Sequence, residues 1–261
     1  MTTPQLARTA AVVAKAAKTV TFGIAAMGAV AVGSIAGPTA TANATDDSCA
    51  AVEVVFARGT FEGPGVGATG QAFVDALTAR LPGKAVDVYG VNYPASLNFG
   101  QAVDGVTDAS NRIQSIAAQC PATKIVLGGY SQGAAVAGYT TSSVVPAGFT
   151  LPPGLSGPMP ASVASHVSAV ALFGTPDDWF LGLVDHDAPP IAIGDQYTAK
   201  TIQLCATGDP VCFPGGLDRS AHSSYKSNGM TDQAADYVVS KLGLPAPAAV
   251  LVQASAVDPG N

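Results

Sequence analysis

Charge is scarce in this chain. Only 11% of its 261 residues are Asp, Glu, Lys or Arg, while 48% are hydrophobic. That balance excludes the highly charged, weakly hydrophobic composition of a disordered chain. The basic residues are fewer still, 12 against 18 acids, for a formal net charge of −6. Nucleic-acid binding rests on Lys and Arg neutralising phosphates, so no nucleic-acid partner is expected. Histidines number three and are scattered, the four cysteines form no CxxC pair, and zinc-site spacing is missing. We therefore expect neither metal nor cofactor. Gly and Pro total 48 without a collagen-like period, a low-complexity tract or an internal repeat.

The N-terminus follows different rules. Residues 1–19 carry Arg8, Lys15 and Lys18 and no acid, and an apolar run follows from Val20 to Ala36. Gly23, Gly28 and Gly33 dilute that run, which is short for a membrane span. The segment closes on Ala42-Asn43-Ala44, an A-x-A ending, so residues 1–44 read as a secretory signal cleaved after Ala44. Cleavage removes three basic residues and takes the formal charge to −9. The expected product is exported to the medium or the cell envelope, monomeric, without a membrane span, and repelled by anionic lipid.

Cys49, Cys120, Cys205 and Cys212 all lie beyond that point. An even count in an exported chain reads as two disulfides. Of the three possible pairings we favour Cys49 with Cys120 and Cys205 with Cys212. The second would close a tight loop, and the first would tie the start of the mature chain to a helix end.

From Cys49 onward two textures alternate. Apolar, β-branched runs at Ala51–Ala57, Ala85–Val91, Lys124–Tyr130, Val167–Phe173 and Lys200–Cys205 predict five strands. Helical spacing separates them: Phe73, Leu77 and Leu81; Ile113, Ile116 and Ala117; Ala134 to Tyr139; then Ala235, Val238, Val239 and Leu242. Near-continuous apolar strands between amphipathic helices imply a mostly parallel five-stranded sheet covered on both faces, a three-layer α/β sandwich over 45–244. Residues 146–162, with five prolines and three glycines, read as a long loop, and 245–261 as a flexible tail.

At the end of the third strand, IVLGGYSQGAAV (125–136) places Ser131 between Gly129 and Gly133. A serine at a sharp strand-to-helix turn needs small neighbours two residues away on each side, and the pattern is G-x-S-x-G. The helix behind it favours developing negative charge. Ser131 is thus the candidate nucleophile. It needs a base, because a free hydroxyl is unreactive at neutral pH. His166 precedes a strand, at the wrong edge of the sheet, and His186 lies in an acidic loop, DHDAPP. His222 follows the fifth strand and can fold back over Ser131. To orient it, Asp209 inside CATGDPVC would sit on a loop held by Cys205 and Cys212; Asp177 is a lesser candidate whose alternative role is helix capping. Ser131, Asp209, His222 is also the chain order of α/β-hydrolases. The N–H of Gln132, at the helix start, is a candidate oxyanion donor.

FARGT (56–60), GGYSQGAA (128–135), LFGTP (172–176), CATGDPVC (205–212) and the histidine loop, in this order, resemble the cutinase family of secreted serine esterases. The likeness spans about 49–242, with spacing most like the branch exported by mycobacteria. It implies an α/β-hydrolase fold, the triad Ser131–His222–Asp209, the same two disulfides, and Thr60 as the second oxyanion donor beside Gln132. The implied partner is an acyl ester or lipid. One departure is visible: GGLDRSAH brings Asp218 and Arg219 beside His222, where fungal cutinases carry long aliphatics. That change favours soluble or lipid esters over solid plant polyester. An acyltransferase with the same triad, or a secreted antigen or adhesin with a decayed site, are the rival readings.

Overall fold

Each of the five apolar runs becomes a strand in the computed structural model, which describes residues 49–145 and 150–244. In chain order these elements are β1 (Val52–Ala57), α1 (Gly67–Ala79), β2 (Val86–Gly90), α2 (Ala102–Gln119), β3 (Lys124–Tyr130) and α3 (Gln132–Thr140). Then come α4 (Ala161–Ala164), β4 (Val167–Phe173), α5 (Asp178–Val184), α6 (Asp195–Thr198), β5 (Thr201–Leu204), α7 (Arg219–His222) and α8 (Met230–Leu242). The expected signal (1–44) and tail (245–261) lie outside the described residues. Within the long loop, 161–162 already belong to α4. Residues of its 151–159 portion, with α2 and the end of α3, wall a cavity of about 530 Å³.

The sheet runs β2-β1-β3-β4-β5, and every pair is parallel. Side chains alternate across its two faces. From β1, Val52, Val54 and Phe56 pack with Phe73 and Leu77 of α1 and with Ala234, Ala235 and Val238 of α8. Val55 and Ala57 face the other way, onto Ala109 and Ile113 of α2 and Val136 of α3. Because both faces are covered, all six residues of β1 are buried, and the apolar run shows no polar alternation. The exception is Glu53, which is buried but held by Arg112 at 2.6 Å. An unpartnered buried carboxylate would cost several kcal/mol, about 3–5 by precedent.

The strand order reverses at β1. The chain leaves it for β2 on one side and later crosses to β3 on the other, so the loops after β1 and β3 diverge. This is the topological switch point of the sheet, and ligands of open α/β sheets bind outside the carboxyl ends at such a point. Packing brings the strands close there. A Cβ on Gly128 would stand 2.6 Å from the Phe56 ring, which sits 6.1 Å from Phe73 and 6.3 Å from Phe173.

Cys49 pairs with Cys120 across 71 residues, Cα–Cα 5.6 Å, and ties the entry of β1 to the end of α2. This bond is remote from the carboxyl ends of the strands. Replacing both cysteines with serine is expected to destabilise the fold by about 4 kcal/mol on the chain-entropy model. Turnover per folded molecule should stay near that of the wild type, measured by denaturant unfolding alongside active-site-titrated rates. A large loss of turnover at full folding would contradict this division of labour.

Candidate active site

Ser131 occupies the corner between β3 and α3 with φ 55°, ψ −121°. Left-handed backbone is strained for a residue with a Cβ, and the neighbours make it possible. A Cβ on Gly129 would overlap the carbonyl of Gly133, and one on Gly133 would overlap the carbonyl of Ala57. The two glycines are therefore demanded by backbone meeting backbone, as the sequence pattern implied. The Ser131 N–H donates to Phe173 O on β4 at 2.9 Å, fixing the corner to the sheet.

His222 ends the one-turn helix α7, and its Nε2 lies 2.9 Å from Ser131 Oγ. Its Nδ1 stands 2.8 Å and 2.9 Å from the two oxygens of Asp209. An ionised carboxylate only accepts, so Nδ1 carries the hydrogen and Nε2 presents a lone pair to the hydroxyl. Asp209 is fully buried. Burial pushes its carboxyl pKa up, but hydrogen bonds from His222, from Tyr225 and from the Val211 N–H outweigh this and hold it below the usual carboxylate range. The structure thus brings Ser131, His222 and Asp209 together.

The other candidates fall elsewhere. The His166 carbonyl accepts from Ile125 N at the amino end of the sheet, far from Ser131 in the register. His186 stands in solvent beside Asp187. Asp177 caps α5, accepting from the Phe180 N–H at 2.8 Å. Cys205 and Cys212 form the second disulfide, Cα–Cα 5.9 Å. Their sulfurs and an Asp209 oxygen cluster within 4.8 Å, but bonded sulfurs are not thiolates and the carboxylate is already occupied. The donor set does not fit a metal.

The Gln132 N–H opens α3, and Thr60 follows β1; neither N–H finds an acceptor among the described residues. The Gln132 side chain is buried, and its Nε2 donates to Ser96 O at 2.8 Å.

Sequence reasoning passed over two tyrosines. Tyr225 is fully buried; its hydroxyl donates to Asp209 Oδ2 at 2.6 Å and accepts from the Ala206 N–H at 3.0 Å. Burial, then the bond to Asp209, raise its pKa far above the ordinary phenol value, so it stays a neutral donor. Tyr130 lies beside the His222 ring, centroids 5.1 Å apart, and donates to the His222 carbonyl at 2.6 Å. The available signals were a lone aromatic in the polar run SSYKSN and the residue just before Ser131. Gly174 completes the enclosure: with φ 59°, its missing Cβ would stand 3.2 Å from Asp209 Oδ2 and from the His222 ring.

A parallel α/β sandwich with a serine on a strained corner, an imidazole and a buried aspartate defines the α/β-hydrolase class. The cutinase family model matches residues 48–242, and the chain belongs to the cutinase family, as a serine carboxylic-ester hydrolase. Among curated proteins it is 46% identical over 197 residues to carboxylesterase Culp1 of Mycobacterium tuberculosis, covering 75% of this chain and 83% of that one. Phospholipase Culp4 of the same organism is 47% identical, covering 74% and 80%. A solved Trichoderma reesei cutinase, in complex with a phosphonate inhibitor, shares 33% identity at a TM-score of 0.55, covering 75% and 78%.

The depressed Asp209 pKa has a direction that can be checked. Ionised Asp209 stabilises the fold at pH above its unfolded value, and this contribution is lost as pH falls through its lower folded value. Tyr225→Phe removes one of the bonds that depress it. The acid limb of stability should then move to higher pH, followed by urea unfolding between about pH 2 and 5. Coincident acid limbs in the two proteins would mean that Tyr225 does not hold the carboxylate ionised.

Proposed function

We propose that Ser131 is the nucleophile of an exported esterase acting on acyl and lipid esters through an acyl-enzyme. His222 Nε2 takes the hydroxyl proton as Oγ bonds to the ester carbon. The carbonyl electron pair moves onto oxygen, where the N–H groups of Thr60 and Gln132 receive the charge. On collapse the C–O bond to the alcohol breaks, and His222 returns its proton to the departing oxygen. Water, activated by the same imidazole, then releases the acid and restores Ser131. Asp209 stays ionised throughout and stabilises the imidazolium.

The observation that carries this reading is the continuous chain Ser131 Oγ–His222–Asp209, both links under 3 Å, around a base whose acid is held ionised. Lipid esters are favoured by the rim. Phe61, Leu97, Trp179, Leu183, Phe213 and Leu217 are large, apolar and exposed, and all stand on segments that follow strand carboxyl ends. Leu217 is 88% exposed, an aliphatic that remains although Asp218 and Arg219 separate it from His222. Asp218 itself is engaged, accepting from the Ser220 N–H and capping α7. The names of Culp1 and Culp4 point the same way. Export is supported by the two disulfides and the signal-like residues 1–44; among the described residues no helix is long and apolar enough to cross a membrane.

Ser131→Ala should fold as the wild type does and lose about 10⁴-fold or more in hydrolysis of p-nitrophenyl esters. A fluorescent alkyl phosphonate should label the wild type once, at Ser131, read by peptide mass spectrometry. Labelling elsewhere, or turnover retained by the variant, would overturn the assignment. Added alcohols separate hydrolysis from acyl transfer: acid should dominate the products over alkyl ester.

A further inference from the structure

Three non-glycine residues have a left-handed backbone among those described: Ser131, Phe61 (φ 66°) and Ala95 (φ 49°). Such strain persists only where the surroundings over-determine it. The second and third are bonded to each other, since the Phe61 N–H donates to Ala95 O at 2.8 Å. The next carbonyl, Ser96 O, receives Gln132 Nε2. A short strap, Ala95–Ser96, therefore joins the turn that carries Thr60 to the residue that carries the other free N–H.

That turn is pinned at both ends by side chains. Arg58 is buried, and it donates to Glu62 O at 2.8 Å, to Val91 O at 3.2 Å and to Tyr93 O at 2.6 Å. Glu62 reaches back. One carboxylate oxygen accepts the Gly59 N–H at 2.7 Å, and the other accepts the Ala68 N–H at the start of α1, also at 2.7 Å. Charge-assisted bonds of this length are among the stronger ones, and a helix start favours the negative charge. The fit leaves no slack: a Cβ on Gly67 would overlap the Glu62 carboxylate. With its neighbours on either side tied down, Thr60 keeps an N–H that no group among the described residues accepts.

We propose that Glu62 is a positioning residue, whose carboxylate holds the Gly59–Glu62 turn so that the Thr60 N–H is aimed at the oxyanion before substrate arrives. This rests on the esterase reading above. A preorganised donor contributes most in the transition state, and losing one costs about 10²–10³-fold in kcat. Displacing it by about an ångström can cost a comparable factor. Glutamine is a graded probe: its carbonyl oxygen replaces one acceptor, while its amide nitrogen turns a donor toward the second N–H.

The test uses the full chain with Glu62→Ala and Glu62→Gln. It measures melting temperature, kcat and KM on a p-nitrophenyl ester, and the inhibition constant of a trifluoromethyl ketone of matching acyl length, which adds reversibly to the serine as a tetrahedral oxyanion. Glu62→Ala should lower kcat about 10- to 100-fold with KM within about two-fold. Affinity for the ketone should fall by a similar factor, and Glu62→Gln should lie between. If alanine impairs folding, the glutamine variant carries the same comparison. Unchanged kcat in the folded variants, or a loss in kcat that the ketone affinity does not follow, overturns the positioning role. Turnover surviving Ser131→Ala would instead overturn the esterase reading itself, so the two failures are distinguishable.

Discussion

Among the described glycines, the two that leave a side chain least room against backbone flank the corner where β3 turns into α3. Gly133 lies so near the Ala57 carbonyl that no side chain fits between them, and Gly129 lies as near to Gly133. That contact presses the start of α3 onto the end of β1, sets the left-handed φ of Ser131 and brings Gln132 toward the turn after β1. Any side chain at either glycine would push helix and strand apart. The position of the Ser131 hydroxyl and of the Gln132 N–H beside it follows from this close packing of main chain on main chain.

The acid side is built on a different constraint. A buried carboxylate is costly, and Asp209 offsets that cost with three hydrogen-bond donors in a loop that Cys205–Cys212 closes. Each donor comes from a different place: His222 from the site, Val211 from the same loop, and Tyr225 from beyond α7. The disulfide and the tyrosine meet, with Cys212 Sγ 3.4 Å from the Tyr225 hydroxyl. The imidazole is gripped on its far side by Tyr130, so its ring plane is fixed by packing as well as by the aspartate. In the proposed mechanism, an imidazole held in one tautomer and one plane spends no reorganisation on accepting the hydroxyl proton.

The central strands β1, β3 and β4 were legible because burial on both faces leaves an uninterrupted apolar signal, while the more exposed edge strands β2 and β5 were marked by β-branched residues. The corner was legible because only glycine tolerates such an approach, so the constraint is written in residue identity. The short helices α4 to α7 were not, since elements of four to seven residues carry too little periodicity to be told from turns. Glu53 and Arg112 escaped notice because a pair 59 residues apart leaves no local pattern. Tyr225 and Glu62 were missed for another reason. Their roles lie in hydrogen bonds to atoms that fold next to them, and a tyrosine or a glutamate in a polar loop is unremarkable until those atoms are placed.

Strain, in this protein, is distributed as function would require. The described residues tolerate left-handed backbone outside glycine at three positions; Phe61 and Ala95 are bonded to each other, and Ser96 is bonded to Gln132, the chain neighbour of Ser131. Each such residue costs on the order of 1–3 kcal/mol. A fold only marginally stable overall keeps that cost beside the groups to which the proposed mechanism gives the transition state. The Arg58 and Glu62 bonds supply the opposing force on one side, and the Gly133–Ala57 contact supplies it on the other. Constraint here is therefore local and directional: it is concentrated in the few turns between strand ends and helix starts, while the segments around them carry the large apolar side chains left exposed.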